Sequence, residues 1–184
     1  MILVTVGTER FSFNRLMEWI DSLIQQNLIQ PEQEEIIIQY GSCSITPQGT
    51  NNFSVLPSEE FNQIVSQARL IIAHCGEGTI DLLSKITKPF VLVPRSSKYQ
   101  EHVDNHQIEL AEALADQGVP IAHSSQDLLD FITNPQLVKI RHCPTEYYEQ
   151  ASCLLEEQFE NEIVLKELTE ELIGDFTTNL APAI

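Results

Sequence analysis

Basic residues are scarce in this chain: 10 lysines and arginines stand against 27 aspartates and glutamates in 184 residues, a formal net charge of −17. A chain that negative repels phosphate backbones and anionic headgroups. It is expected neither to bind nucleic acid nor to adhere to a membrane by its own charge. No apolar run approaches the roughly 18 residues a bilayer span needs. The apolar start Met1 to Val6 gives way at once to glycine, threonine and charge, so no secretory leader is expected. Cysteine is equally sparse. The four, Cys43, Cys75, Cys143 and Cys153, make no C-x-x-C pair and no regular framework, and read as reduced thiols of a cytosolic protein. Internal repeats, low-complexity tracts, a G-x-G-x-x-G fingerprint and a Walker A loop are all missing. What remains is a soluble cytoplasmic protein of one ordinary domain with an appendage. If it works at a membrane, another protein must hold it there.

What is present concentrates in residues 69–112. Leu70-Ile71-Ile72-Ala73 is continuously apolar without alternation, which suits a parallel strand covered on both faces. The turn His74-Cys75-Gly76-Glu77-Gly78-Thr79 follows, and an apolar-periodic segment with Ile80 and Leu83 opens at Thr79. Two glycines one residue apart permit a tight turn and close approach of a ligand, and the helix behind them offers free N–H groups to a phosphate. A bare G-x-G between strand and helix is otherwise only a turn. Phe90 to Pro94 gives a second buried strand, then a polar loop carries Arg95 and Lys98. These two read either as donors to phosphates or a partner's carboxylates, or as solvated loop charges. The next helix is expected to open with Glu101 and Asp104 in its first turn, with Val103, Leu110, Ala111 and Leu114 as its apolar stripe. Gln107 falls on that stripe, where an unpaired amide costs about 1–3 kcal/mol, so a partner at the strand ends is expected.

Before this block, Met1 to Val6 reads as a strand and Gly7-Thr8-Glu9 as its turn. Phe13, Leu16, Met17, Ile20 and Ile24 then recur at helical spacing. Thr8 on this reading satisfies a helix N-terminus. Ile36 to Ile38 is a second strand, residues 41–52 a ligand- or partner-facing loop, and Phe53 to Leu56 a short strand. Ser58 is expected to cap a helix buried through Phe61, Ile64, Val65 and Ala68. Val119-Pro120-Ile121 reads as the last strand, and Ser125 or Ser124 caps a helix through Leu128, Leu129 and Ile132 that Asn134-Pro135 ends. This alternation predicts an α/β, Rossmann-like, doubly wound and mostly parallel sheet over residues 1–140. Residues 141–184 read as an acidic helical extension and tail, with Ala151, Leu154, Leu155 and Phe159 on one face and Ile163, Val164, Leu168 and Leu172 continuing it. It either folds back on the domain or docks a partner.

Among the titratable groups, His102 and His106 stand four apart with Asp104 between them, a zinc-like spacing on a helix, yet no third ligand is evident and no metal is expected. His74 reads as a general base or as a structural hydrogen-bonder. Cys75 beside it makes no dyad, because neighbours in sequence point in different directions.

Taken together, VTVGTERFSFNRL, AHCGEGTI and VPRSSKYQEHVDNHQIELAEAL resemble the family 28 glycosyltransferase C-terminal domain. The likeness covers about residues 1 to 132, with E-H-V-D-N-H-Q its most specific part. It is similar to the stand-alone form of that domain. Examples are the soluble subunit of eukaryotic UDP-N-acetylglucosamine transferase in lipid-linked oligosaccharide synthesis and the PssE or EpsF-type subunits of exopolysaccharide assembly. The resemblance implies the donor-binding half of a GT-B fold and inverting, metal-independent hexosyl transfer from a UDP-sugar, with no cofactor. It places the diphosphate over Gly76, Glu77, Gly78 and Thr79 and over Gly7 and Thr8, and sugar hydroxyls on Asn105, His106 and Gln107, with Glu101 and Asp104 shaping the pocket. The family's ribose-binding glutamate is Leu82 here, beside an Asp81 that pairs at i,i+4 with Lys85. Family 28 enzymes use two domains, and this chain has length for one. A membrane-anchored, PssD-like partner would therefore supply the acceptor half, the general base and the lipid-linked acceptor in a heterodimer. Two other readings stand beside this one: a non-catalytic enhancer of a partner transferase, and a sugar-nucleotide epimerase, which would need a complete two-domain cleft.

Overall fold

The computed structural model describes residues 1–141; Cys143, Cys153 and all but the first residue of the extension expected over residues 141–184 lie outside the described residues. Five strands form one parallel sheet: β1 (Ile2–Thr5), β2 (Ile36–Gln39), β3 (Asn51–Phe53), β4 (Leu70–His74) and β5 (Phe90–Val93), in the order β3-β2-β1-β4-β5. Ile2 faces Ile36 on one side and Leu70 on the other, and Ile71 faces Phe90. The chain winds outward from β1 to β3 and then returns to the opposite side of β1, so the order reverses between β1 and β4.

Parallel neighbours need crossovers. Helix α1 (Asn14–Gln25) joins β1 to β2, α2 (Ser58–Gln67) returns the chain to β4, and α3 (Glu77–Ser84) joins β4 to β5. Helices α4 (His106–Ala115) and α5 (Ser125–Thr133) follow. Strands β1, β2, β4 and β5 are buried along their whole length, as their unbroken Val, Ile and Leu runs demand. Phe13, Leu16, Met17 and Ile20 form one core cluster with Ile2, Val4, Leu128 and Ile132, so α1 and α5 cover one face. Leu3, Ile37 and Ile71, offset by one residue along their strands, are buried outside that cluster, on the sheet's other face. Each of these side chains contributes about 1.5–3 kcal/mol on burial.

Four local expectations are corrected. The third strand forms at Asn51–Phe53 rather than Phe53 to Leu56, with all three residues exposed. An edge strand pairs through its backbone and needs no apolar side chains, so hydrophobicity misplaces it. Pro57, not Ser58, precedes α2, and no side chain caps that helix. Val119-Pro120-Ile121 makes only one parallel bridge, Ile121 to Leu92. Proline has no N–H to extend a ladder, and Pro120 serves through its carbonyl alone, accepting from Leu92 N–H at 2.9 Å. The helix expected from Glu101 begins five residues later, at His106. Residues 97–99 form a 3₁₀ turn, Gln100 is left-handed with φ +59°, and Val103 is 66 % exposed rather than on the buried stripe. Ser124 does cap α5, accepting from Asp127 N–H at 3.1 Å, while Asp127 Oδ2 accepts from His123 N–H at 3.0 Å.

Candidate functional site

The carboxyl ends of β1 and β4 lie side by side where the strand order reverses, and each runs directly into a glycine turn. Open parallel sheets bind ligands at such a reversal. The His74 imidazole is wedged between the two turns. A Cβ on Gly7 would stand 2.6 Å from His74 Cε1, and one on Gly76 would stand 2.4 Å from Nε2. Gly7 also has φ +74°, which an L side chain resists. His74 itself therefore demands a glycine in each turn. The ring is 7 % exposed. Burial first, and the Arg95 cation second, push its pKa down to about 4, against a hydrogen bond with the Thr5 backbone that works the other way. It is neutral at pH 7, with Thr79 Oγ1 3.4 Å from Nδ1. That placement favours the structural reading of His74 over the general-base one.

Gly78 differs from its neighbours. It lies in the first turn of α3, and a Cβ there would meet nothing within 4 Å. No side chain caps α3, whose N-cap residue is Gly76. The first N–H groups of that helix therefore open onto a cleft of about 540 Å³. Gly7, Thr8, His74, Gly76, Glu77, Gly78, Thr79, His106 and Gln107 all line it, so the first glycine turn, the second and the start of α4 meet around one space. Gln107 is 5 % exposed, and its Oε1 accepts from Arg95 N–H at 3.2 Å, the strand-end partner its position calls for. That bond leaves the Gln107 amide Nε2 as a donor for the cleft. His106 Nε2 lies 3.3 Å from Glu77 Oε1, joining the first residues of α4 and α3.

The remaining expected residues lie off the cleft wall. Arg95 is the largest correction: it is fully buried, neither a phosphate donor nor a solvated charge. Its guanidinium donates to the carbonyls of Val6 at 2.6 Å, Phe11 at 2.7 Å and Glu101 at 3.0 Å, and stacks 5.0 Å from the Phe13 ring centroid. Glu101 is also buried. It holds Arg15 by a two-pronged bond at 2.9 and 2.8 Å and accepts from Ser96 N–H at 3.0 Å. Lys98 is exposed above Tyr99 and borders a separate hollow with Arg15, Trp19 and His123. Asn105 Oδ1 accepts from Ser97 N–H and Oγ–H, tying the 3₁₀ turn to α4. Asp104 accepts from His106 N–H at 3.1 Å, the main cause of a carboxyl held below its usual range, and lies 2.8 Å from His102 Nδ1. His102 precedes α4, so it and His106 do not stand one helical turn apart as a zinc pair would.

Three further residues line the wall, Glu9, Cys75 and His102, for which the sequence suggests no role in ligand binding. Glu9 belongs to the first glycine turn and His102 to the E-H-V-D-N-H-Q block, so proximity to recognised motifs was the available signal. Burial raises the Cys75 thiol to about 12, in keeping with its assignment as no nucleophile. Asp81 does pair with Lys85 Nζ, at 2.6 Å, and neither it nor Leu82 reaches the cleft wall. Another hollow, of about 400 Å³, lies around Ile2, Ile36, Glu34 and Arg69 at the amino ends of the strands, away from both glycine turns. The family model for the glycosyltransferase family 28 C-terminal domain matches residues 1–165.

Proposed function

The chain belongs to glycosyltransferase family 28, as the family's C-terminal, donor-binding domain, and from that premise we propose that it is the donor-binding subunit of a two-component inverting hexosyltransferase using a UDP-sugar. The observation that carries the reading is the cleft at the β1–β4 reversal, bounded by two glycine turns and the open end of α3. The diphosphate lies over Gly76 to Thr79 and Gly7-Thr8. There, backbone N–H groups and the helix dipole offset the negative charge that grows on the departing UDP, without a metal ion. Gly78 supplies the room for that approach. Gln107, held by Arg95 N–H, directs its amide to a sugar hydroxyl beside His106. A membrane-anchored partner brings the second half of the cleft, the base that deprotonates the acceptor, and a lipid-linked acceptor. No described helix is long and apolar enough to cross a membrane.

One feature favours a second reading, a non-catalytic subunit that enhances a partner transferase. The residue at the family's ribose-binding position is Leu82, and the neighbouring Asp81 is engaged by Lys85. Calorimetric titration with UDP, UDP-GlcNAc, UDP-galactose and UDP-glucuronate, on the wild type and on Gln107→Ala, separates the two. Binding of one UDP-sugar that weakens about five- to thirtyfold in the variant is expected, since one lost hydrogen bond at a polar site is worth about 1–2 kcal/mol. A folded protein that binds none of them sinks the donor-site reading and leaves the enhancer.

A further inference from the structure

The cleft carries the wrong charge for an ordinary diphosphate site. Among the described residues no lysine or arginine lines it, whereas two carboxylates do, Glu9 on the first turn and Glu77 on the second. Glu77 is the first residue of α3, so its carboxylate stands at the helix end where the donor's phosphates are placed, and it profits from the same dipole. Its side chain is 56 % exposed and is engaged by His106 Nε2 at 3.3 Å, from the first residue of α4. Next to it, the missing side chain of Gly78 leaves open space that no neighbour requires. Resting on the donor-site reading above, we propose that Glu77 is a charge gate on the cleft. Its carboxylate competes with the donor's diphosphate for the α3 terminus, and His106 is the positioning residue that draws it aside.

Such a gate discriminates by ligand charge. A UDP-sugar brings two phosphate charges to the cleft, while free UDP, with a terminal phosphate ionising near pH 6, brings about three at neutral pH. A fixed carboxylate at the seat penalises the product more than the substrate, and so hastens departure of UDP after transfer. The other charged or titratable groups that face the space are Glu9, His74 and His102, the last oriented by Asp104.

The test is calorimetry with UDP and UDP-GlcNAc as probes on wild type, Glu77→Gln, His106→Ala and the double variant, with thermal unfolding to confirm the fold. Glu77→Gln is expected to bind UDP roughly two- to fivefold tighter, with a smaller gain for UDP-GlcNAc, because an exposed charge contact at a helix end is worth about a factor of a few. His106→Ala is expected to weaken binding in the wild type and to have less than about a twofold effect in the Glu77→Gln background, as coupled residues behave. If the wild type binds UDP and Glu77→Gln binds it no better, the gate is refuted while the donor site stands. If the His106→Ala loss persists undiminished beside Glu77→Gln, His106 touches the ligand itself and the positioning role is refuted. No binding by any of the folded proteins overturns the donor site and the gate together.

Discussion

At the scale of single residues, the glycines of the two turns serve different causes. Gly7 and Gly76 are fixed by the imidazole between them, whereas Gly78 answers to nothing inside the protein. A glycine in a helix costs about 0.5–1 kcal/mol relative to alanine, so Gly78 is a concession by the fold. Gly78→Ala is therefore expected to raise stability by about that amount and to weaken UDP-sugar binding. Gly76→Ala is expected to lower stability by about 1–3 kcal/mol, because the new methyl group overlaps a ring that is itself buried and cannot give way. Urea unfolding of the two variants checks the contrast. Equal destabilisation by both would mean that Gly78, like Gly76, is required by packing, and would remove the argument that its open space is kept for a ligand.

At the scale of elements, the loop between β5 and α4 shows what the sequence conveyed and what it withheld. The buried strands, the glycine turns and the helical stripe of α1 were legible, because their signals are local: unbroken Val, Ile and Leu runs, paired glycines, and a period near 3.6. Arg95 and Glu101 were not legible. A polar loop reads as solvated, and only the partners Val6, Phe11 and Arg15, more than 80 residues away in sequence, turn it into a buried brace. The same brace takes up residues 101–105, so α4 starts at His106 although the apolar spacing suggested an earlier turn. The cleft wall was legible where it coincided with glycine turns and hidden where it depended on how that loop folds. Arg95 thus joins the end of β5 to the end of β1 directly beneath the first turn. Arg95→Met is expected to cost about 3 kcal/mol or more, since three carbonyls lose a charged donor in a buried site. Arg95→Lys recovers only part of this, because a single ammonium cannot span the three positions of the guanidinium fork. Both are expected to weaken donor binding through the Gly7 turn without touching the ligand. An unfolding midpoint for Arg95→Met within error of the wild type would show that the brace is not needed.

For the whole molecule, the question is how so acidic a chain responds to acid. With a net charge of −17, protonating carboxylates relieves self-repulsion, so mild acid should stabilise it on charge alone. His74 acts in the opposite sense. Its pKa is about 4 in the fold against an ordinary value of 6.5, so the folded state resists a proton that the unfolded chain accepts. The stabilisation is complete above pH 6.5 and is lost as pH falls toward 4, amounting to as much as about 3 kcal/mol. Glu34 has the same sign in a lower window. The Arg69 hydrogen bond, and then the amino terminus, hold it down at about 2 from 4.5, so its contribution is lost below pH 4.5, and solvent screening at this partly exposed site keeps it small. Among the described residues His74 is the group whose lowered pKa makes stability fall between pH 6.5 and 4.5, whereas relief of net charge pushes the other way. Urea unfolding at half-unit pH steps is expected to show that fall in the wild type and a flat or rising curve in His74→Gln, whatever the variant's absolute stability. A wild-type curve that runs parallel to that of His74→Gln through this window would mean that His74 takes up its proton without cost, and that the two glycine turns do not enclose it tightly enough to set its charge.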